Sequence, residues 1–581
     1  MKTANSAKRL LVLAKPILLR LAFFQLLVLV VLGWSSRCKA NDIYIAQTAQ
    51  GNGTGTDCAD AYSSTFFNTS GNWGSGASQI GPGTTVHICG TFNGGSAANL
   101  LTIQGSGTSG SPVALLFEAG AVVQAMYCAS AGCINLNGKS YITIDGGIAC
   151  GETSKWTVTP CNGTIQNTGV GSTGLTCIAG PCSTISGSVQ SVGIGSGSGS
   201  PSHIEVRNLH LTLYKRNASD LSDSGMQTYG IGFFGGSMVQ GLVVHNMIFN
   251  GMAKSVLASL GSGSGTLTDY EVYNSSFSDQ CWAMGVGTDA PSMNVTKLLF
   301  HDNEVSNWEN WAPANTSGNV CHTNGTMWFN GDGSTVHAGT GFIGDTSSGI
   351  YDNYLHGDLT GSDAKSSPSG MLSCQDNCIN VPVFNNIVVS TCTGTSPSRS
   401  CGGNIYFNGA GGGGQQVYNN TLVAPAGSCV VVTGSTAPVV VKNNIFVGCG
   451  DTIEIRPNCP SCVLADNNDG FNVPNSSWVV NNSAGSGQFI SLSTWRSSYG
   501  QDAHSSIGNP NLDANYKLQS GSAAISLGAN LTGMGIPALN RDLSGMARPS
   551  SGPWDAAAYQ YSSSSSGNPP NSPTNLLATV E

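Results

Sequence analysis

Two patterns of apolar and polar residues divide the chain. The first occurs once: an apolar run over 21–32, preceded by Lys2, Lys8, Arg9, Lys15 and Arg20 and followed by Cys38-Lys39-Ala40. A basic start, a short apolar core and a small-residue exit describe a signal peptide. The run is shorter than the roughly 20 residues that span a bilayer. Residues 1–40 are therefore expected to be removed, leaving a secreted or cell-surface protein with no membrane span after cleavage. The second pattern recurs. A β-rich stretch ends at Asn, and another apolar stretch follows, as in Glu205-Val206-Arg207-Asn208, Val243-Val244-His245-Asn246 and Glu271-Val272-Tyr273-Asn274. It returns in Leu299-Phe300-His301-Asp302-Asn303, Gly349-Ile350-Tyr351-Asp352-Asn353, Val383-Phe384-Asn385-Asn386, Val417-Tyr418-Asn419-Asn420, Val441-Lys442-Asn443-Asn444 and, degenerate, Leu464-Ala465-Asp466-Asn467.

The last Asn of each phrase follows the previous one by 38, 28, 29, 50, 33, 34, 24 and 23 residues. A floor near 23 with irregular excess describes a short obligatory coil carrying inserted loops, the signature of a solenoid whose coils bury their faces against one another. Asn tolerates the left-handed backbone and bonds locally, which suits a tight bend. Stacked at one bend, its amides also form a ladder. This column is read as structural.

Around the repeats, 42–45 reads as a first strand. Residues 57–68 read as a short helix with Tyr62 and Phe66 on one face, placed to cover the open edge of the first coil. Strands follow at 86–89, 101–104, 113–117 and 141–145, and a Ser/Gly loop occupies 183–200. Residues 494–499 suggest a helical turn. The expected organisation is a signal peptide (1–40), an N-terminal cap with the first coils (41–125), parallel β-helix coils (126–470), a C-terminal closing module (471–561) and a Ser/Pro-rich linker or tail (562–581).

The Asn-Asn phrases resemble the coils of bacterial right-handed parallel β-helix proteins, a superfamily that includes pectate and alginate lyases. The C-terminal stretch resembles the terminal module of secreted members. Its residues are Gly500-Gln501-Asp502-Ala503-His504-Ser505, Asn509-Pro510, Tyr516-Lys517-Leu518, Gly521-Ser522-Ala523-Ala524-Ile525, Arg541-Asp542-Leu543-Ser544-Gly545, Arg548-Pro549 and Trp554-Asp555-Ala556-Ala557-Ala558-Tyr559. Ala557 stands where that pattern usually has Gly. The resemblance implies an all-β, right-handed parallel β-helix and says much less about chemistry.

Charge narrows the partners. The leader holds seven of the 22 Lys and Arg and no acid, so the mature chain has 15 basic against 31 acidic residues, a formal charge of −16. Nucleic acid is excluded, because no basic stripe is present to neutralise phosphates. Of 19 cysteines, 18 remain after the leader, and an even number in an exported chain reads as disulfides. Pairing in sequence order gives Cys58–Cys89, Cys128–Cys133, Cys150–Cys161, Cys177–Cys182, Cys281–Cys321, Cys374–Cys378, Cys392–Cys401, Cys429–Cys449 and Cys459–Cys462.

Several motifs fail on context. Gly230-Ile231-Gly232-Phe233-Phe234-Gly235 has dinucleotide spacing but no βαβ unit around it. No cofactor is expected. Calcium alone is left open, because 466–472 is rich in oxygen ligands, although Gly470 occupies a ligand position and a turn fits better. Counting from the repeated Asn is more informative, since equal offsets on adjacent coils stack. Eight residues on lie Arg216, Lys254, Trp282 and Trp311; five residues on lie Asp279, Trp308 and Asp358. The same stretch holds His322, Trp328 and His356.

Flat aromatic faces suit sugar rings, which makes Trp282, Trp308, Trp311 and Trp328 candidates for substrate contact together with Arg216. The competing reading packs these rings in the coil interior. Asp279 and Asp358 are candidate carboxyls for glycoside hydrolysis, which needs a pair flanking the bond. His322 and His356 are further acid–base candidates. Lys254, in Ala253-Lys254-Ser255, resembles the catalytic lysine segment of β-helix alginate and chondroitin lyases, and elimination needs such a base.

The expected function is that of a secreted, monomeric protein acting on an extracellular polysaccharide in a lateral groove, as glycoside hydrolase or polysaccharide lyase. The rival is a non-catalytic cell-surface or adhesive protein that binds glycans or serves as a rigid spacer.

Overall fold

The computed structural model describes residues 42–147, 152–154, 157–158, 161–169, 189–213, 226–233, 240–260, 264–288, 292–308, 324–330, 341–359, 370–392, 401, 403–408, 412–456, 459–483 and 486–562. The expected leader, Arg216, Trp311, His322 and most of the tail lie outside them.

The chain is a right-handed parallel β-helix. Alternation of apolar and polar residues gives each coil a strand such as Ser202–Arg207, in which Ile204 and Val206 are buried while Glu205 and Arg207 are half-exposed. Stacked in parallel, these strands make one sheet. It runs through Ile142–Asp145, Ser202–Arg207, Gln240–His245, Tyr270–Tyr273, Leu298–His301, Gly349–Tyr351 and onward to Val463–Asp466, with fourteen strands among the described residues. After a turn, each coil adds a short second strand, such as Leu209–Thr212 or Glu304–Ser306, and then a third, such as Met226–Phe233 or Asn324–Asn330. Two coils carry the second and third faces on one bent strand, Ile248–Leu260 and Ser276–Thr288. The core is one continuous column of Ile, Val, Leu and Phe from Ile43 to Trp495.

The Asn signal resolves into two columns with separate duties. Asn208, Asn246, Asn274, Asp302, Asp352, Asn385, Asn419, Asn443 and Asn467 all have φ between 46° and 60°. They form the left-handed bend that Asn and Asp tolerate better than other side-chain-bearing residues. The next residue points inward. Asn303, Asn353, Asn386, Asn420, Asn444 and Asn468 are fully buried, and each of the first five donates its amide to the Oδ1 of the next, at 3.2, 2.9, 2.9, 3.0 and 3.1 Å. The ladder ends on Asp502 Oδ1, 3.1 Å from Asn468 Nδ2.

This splits the repeat counted from sequence. Tyr273 pairs with His301, so Asn274 stacks on Asp302 rather than Asn303. The bends recur at 38, 28, 28, 50, 33, 34, 24 and 24 residues.

The segment 57–68 is not one helix. It forms a 3-10 turn, Cys58–Asp60, then Tyr62–Ser63, which pairs with Ile45 and Ala46 at the sheet edge, and only then a helix, Ser64–Asn68. Strand pairing takes Tyr62 out of the helix, yet its ring stacks on Phe66 at 4.0 Å. Helix Leu492–Tyr499 starts at Ser491, whose hydroxyl accepts from Thr494 N–H, and stops at Gly500 with φ 65°, a standard left-handed stop.

Beyond it, the chain folds back along the coils. The amides of Asn385, Asn419, Asn443 and Asn467, all bend residues, donate to the carbonyls of Arg541, Asp555, Ala529 and Leu527 at 2.8–2.9 Å. Leu531, Leu539 and Trp554 pack on Phe384 and Tyr418.

Among the described residues the pairs Cys58–Cys89, Cys128–Cys133, Cys374–Cys378, Cys392–Cys401, Cys429–Cys449 and Cys459–Cys462 are bonded. Each of the other three expected pairs has a member outside those residues. No described helix is long and apolar enough to cross a membrane.

Candidate functional site

The third face aligns Tyr229, Lys254, Trp282 and Asn324 as paired residues on four successive coils. Lys254 is half-buried, and its Nζ lies 4.0 Å from the centre of the Trp282 ring and 5.6 Å from that of Tyr229. A cation over an indole face is attracted by the ring quadrupole. No described carboxylate pairs with this lysine, and burial alone lowers its pKa to about 8. An uncompensated ammonium in a low-dielectric setting sheds its proton more readily. Tyr229 moves the other way: burial raises its hydroxyl to about 12, against a smaller opposing hydrogen bond from Gln190.

Among the described residues, Lys254 and Trp282 are thus the sequence candidates that the fold brings together. The count of eight from the bend holds for both. On the next coil the ladder partner of Trp282 is Asn324.

The other candidates are dispersed. Trp308 and Trp328 have no exposure and belong to the core; the indole N–H of Trp308 donates to Asn324 O at 3.3 Å. Asp279 is itself a bend residue, φ 56° and 4% exposed, and it accepts from Asn250 Nδ2 at 2.9 Å. Since Ser278 pairs with Ser306 and Ser306 with His356, Asp279 shares its coil position with Asn307 and Gly357. Asp358 lies one residue further and is not its equivalent. His356 is on the second face, stacked on Tyr354 at 4.4 Å with Nε2 3.0 Å from Glu304 Oε1.

A second feature lies on the first sheet. His245, Tyr273, His301, Tyr351 and Phe384 stack ring on ring at 4.8, 5.3, 4.6 and 4.8 Å. Each immediately precedes a bend residue, so the repeated phrases already displayed the column. Carboxylates flank it. Burial acts to raise Glu205, but the hydrogen bond from His245 and the charge of Arg207 bring it down to about 2. Burial acts to lower His301, but hydrogen bonds to Asp302 at 2.8 Å and Glu271 at 3.1 Å lift it to about 9.

The oxygen-rich run 466–472 is engaged by protein. Asp466 accepts from the backbone and the ring of His504, each at 2.8 Å, and Asp469 accepts from Gly508 N–H at 3.1 Å. A Cβ at Gly470 would collide with the Trp478 indole, which explains glycine there without a metal. No cluster of three or more His, Cys, Asp or Glu suited to a metal occurs among the described residues. An open cavity of about 530 Å³ beside the Cys58–Cys89 bridge, lined by Gln47, Thr48, Gln50, Thr91 and Glu118, shares no residue with the lysine column.

No protein-family model and no curated protein sequence matches the chain. Among solved structures it is similar to the pectate lyase Pel9A, at 12% identity over 90% of this chain and 96% of that one, with a TM-score of 0.37. It is also similar to the GH136 lacto-N-biosidase of Eubacterium ramulus, at 11% identity over 78% of this chain and 66% of that one, with a TM-score of 0.36.

Proposed function

We propose that this protein is secreted and acts on an extracellular polysaccharide along its third face, as a lyase with Lys254 as the base and Trp282 as a sugar-stacking platform. The observation that carries the reading is the lysine itself: half-buried against an indole, without a described carboxylate partner, and lowered to about 8. An acid-paired lysine would stay protonated. This one is neutral in roughly a tenth of molecules at pH 7, which suits removal of a proton from a carbon acidified by a neighbouring carboxylate. The uronate class of polysaccharide follows from that chemistry. Disulfide bonding and the leader-like residues 1–40 support export, and a monomer suffices because the column is built within one chain.

The test is incubation of the purified protein with polygalacturonate, alginate and neutral glycans. Lysine-dependent elimination releases reducing ends together with absorbance near about 235 nm, the mark of an unsaturated uronate. That absorbance should vanish in Lys254→Ala. Retention of glycan without products would instead establish the binding or spacer role.

A further inference from the structure

The column that holds Lys254 continues for six more strands. Counting back two residues from the pairs Thr326–Leu372 and Ile405–Val430, Asn324 is followed by Gly370, Gly403, Ser428 and Asp451. At about 4.8 Å per strand, Asp451 stands roughly 29 Å from Lys254 along the solenoid. Two buried carboxylates meet there, neither among the residues singled out by sequence.

Ser428 Oγ lies 3.0 Å from Asp451 Oδ2 and 3.1 Å from Glu454 Oε2. A serine hydroxyl has one proton to donate. It satisfies one ionised carboxylate, so the second carboxyl must bring its own proton. Arg456 decides which. Its Nε and Nη2 each lie 2.6 Å from an oxygen of Glu454, a fork that holds Glu454 as the carboxylate. Asp451 has no such cation. It is only 8% exposed, and its Oδ1 has no hydrogen-bond partner. The proton therefore belongs to Asp451, and burial raises that carboxyl to about 7. Besides Glu454 and Arg456, the one titratable group on the flanking strands is Tyr406, on Gly403–Asn408; Ser428–Thr433 and Val479–Ser483 carry none.

The neighbouring row supplies rings. Tyr406, Val431, Glu454, Val480 and Phe489 are paired in that order across five strands. Tyr406 is half-exposed and Phe489 is 67% exposed. Each ring stands two strands, roughly 10 Å, from the carboxylate. Paired residues project to the same side of a sheet, so the two aromatics flank the acid pair along the solenoid.

We propose that Ser428, Asp451, Glu454 and Arg456 form a second site that hydrolyses a glycosidic bond between pyranose units seated toward Tyr406 and Phe489. Asp451 gives its proton to the glycosidic oxygen as the bond to the anomeric carbon breaks, and the Glu454 carboxylate bonds that carbon. Water then displaces Glu454, returning its proton to Asp451, so one water is consumed per bond. The two oxygens share one hydroxyl and lie at most about 6 Å apart, within reach of the roughly 5–5.5 Å typical of retention. This site stands independently of elimination at Lys254.

The test uses the full protein and borohydride-reduced oligosaccharides from xylan, β-glucan, galactan and pectin. Expected are new reducing ends without absorbance near about 235 nm, at a rate that falls as pH rises through about 7. Asp451→Asn and Glu454→Gln should each lower that rate at least about 100-fold, and Asp451→Asn should regain activity on 2,4-dinitrophenyl glycosides, whose leaving group needs no proton. Phe489→Ala, on the surface and safe for folding, should raise KM about tenfold at unchanged kcat. No reducing ends from any of the four substrates would overturn the proposal, as would twofold or smaller effects of both carboxyl variants, or an unchanged KM in Phe489→Ala. Elimination is read at 235 nm and hydrolysis as reducing ends that persist in Lys254→Ala, so the two sites fail separately.

Discussion

Lys254 and Trp282 are ladder partners on adjacent coils, and the ammonium of the first lies 4.0 Å from the centre of the second's ring. Burial, opposed by the attraction of the ring, makes this lysine a destabilised cation. Its folded pKa of about 8 is below the unfolded value, so the penalty for holding it charged is present below pH 8 and disappears as pH rises toward the unfolded pKa. Lys254→Met should therefore stabilise the fold at pH 6–7 by on the order of 1 kcal/mol after loss of the ring contact, seen as a higher melting temperature, and change little at pH 10. Lys254→Arg should not restore turnover, because guanidinium stays protonated. Thermal melts across pH and initial rates check both.

Trp282 and Trp328 differ in kind although both are buried. Trp328 fills the core without exposure, whereas Trp282 is 8% exposed beneath the lysine. Trp328→Ala should cost about 3–5 kcal/mol in denaturant unfolding. Trp282→Ala should cost less stability and weaken polysaccharide retention by about 1–2 kcal/mol, read as a shift in affinity-gel mobility.

His301 gives the first sheet a pH signature. Its folded pKa is raised, so its stabilising effect is complete below the ordinary value of 6.5 and is lost as pH climbs through about 9. Unfolding free energies from urea titrations at pH 6 and pH 10 should differ by on the order of 2 kcal/mol more in the native protein than in His301→Gln.

The two Asn columns should answer mutation differently. Asn246→Gly keeps the positive φ of 54° and should be close to neutral. Asn386→Gly removes a buried amide that donates to Ile350 O and Asn420 Oδ1, both at 2.9 Å. It should cost about 2–4 kcal/mol, measured by equilibrium unfolding.

Cys429 and Cys449 lie on neighbouring coils with Cα atoms 5.8 Å apart. Replacing both with Ala should lower stability by about 3 kcal/mol, the loop-closure value for some 20 residues. Differential scanning calorimetry of that variant reads the loss.

The coils were legible in sequence because Asn serves a bend that few side chains tolerate and because alternation marks every strand. The register was off by one from Asn303 to Asn444, since Asp302, Asp352 or the first Asn of a pair takes the bend there, leaving the following Asn to be mistaken for it. That slip kept Lys254 and Trp282 together but attached Trp308 and Asp358 to them. The Ser428–Asp451–Glu454–Arg456 cluster left no trace in spacing, because Ser428 meets Glu454 only through strand stacking 26 residues away.

The bend residues that receive the C-terminal segment all come from coils made before it. A ribosome working from the N-terminus finishes the receiving amides of Asn385, Asn419, Asn443 and Asn467 before residue 527 is added. The C-terminal segment can therefore complete these bonds only on coils already stacked in register. If a coil between 385 and 467 slipped in register, its amide would miss the waiting carbonyl, and Leu531, Leu539 and Trp554 would stay exposed. Apolar surface left exposed in that way favours aggregation.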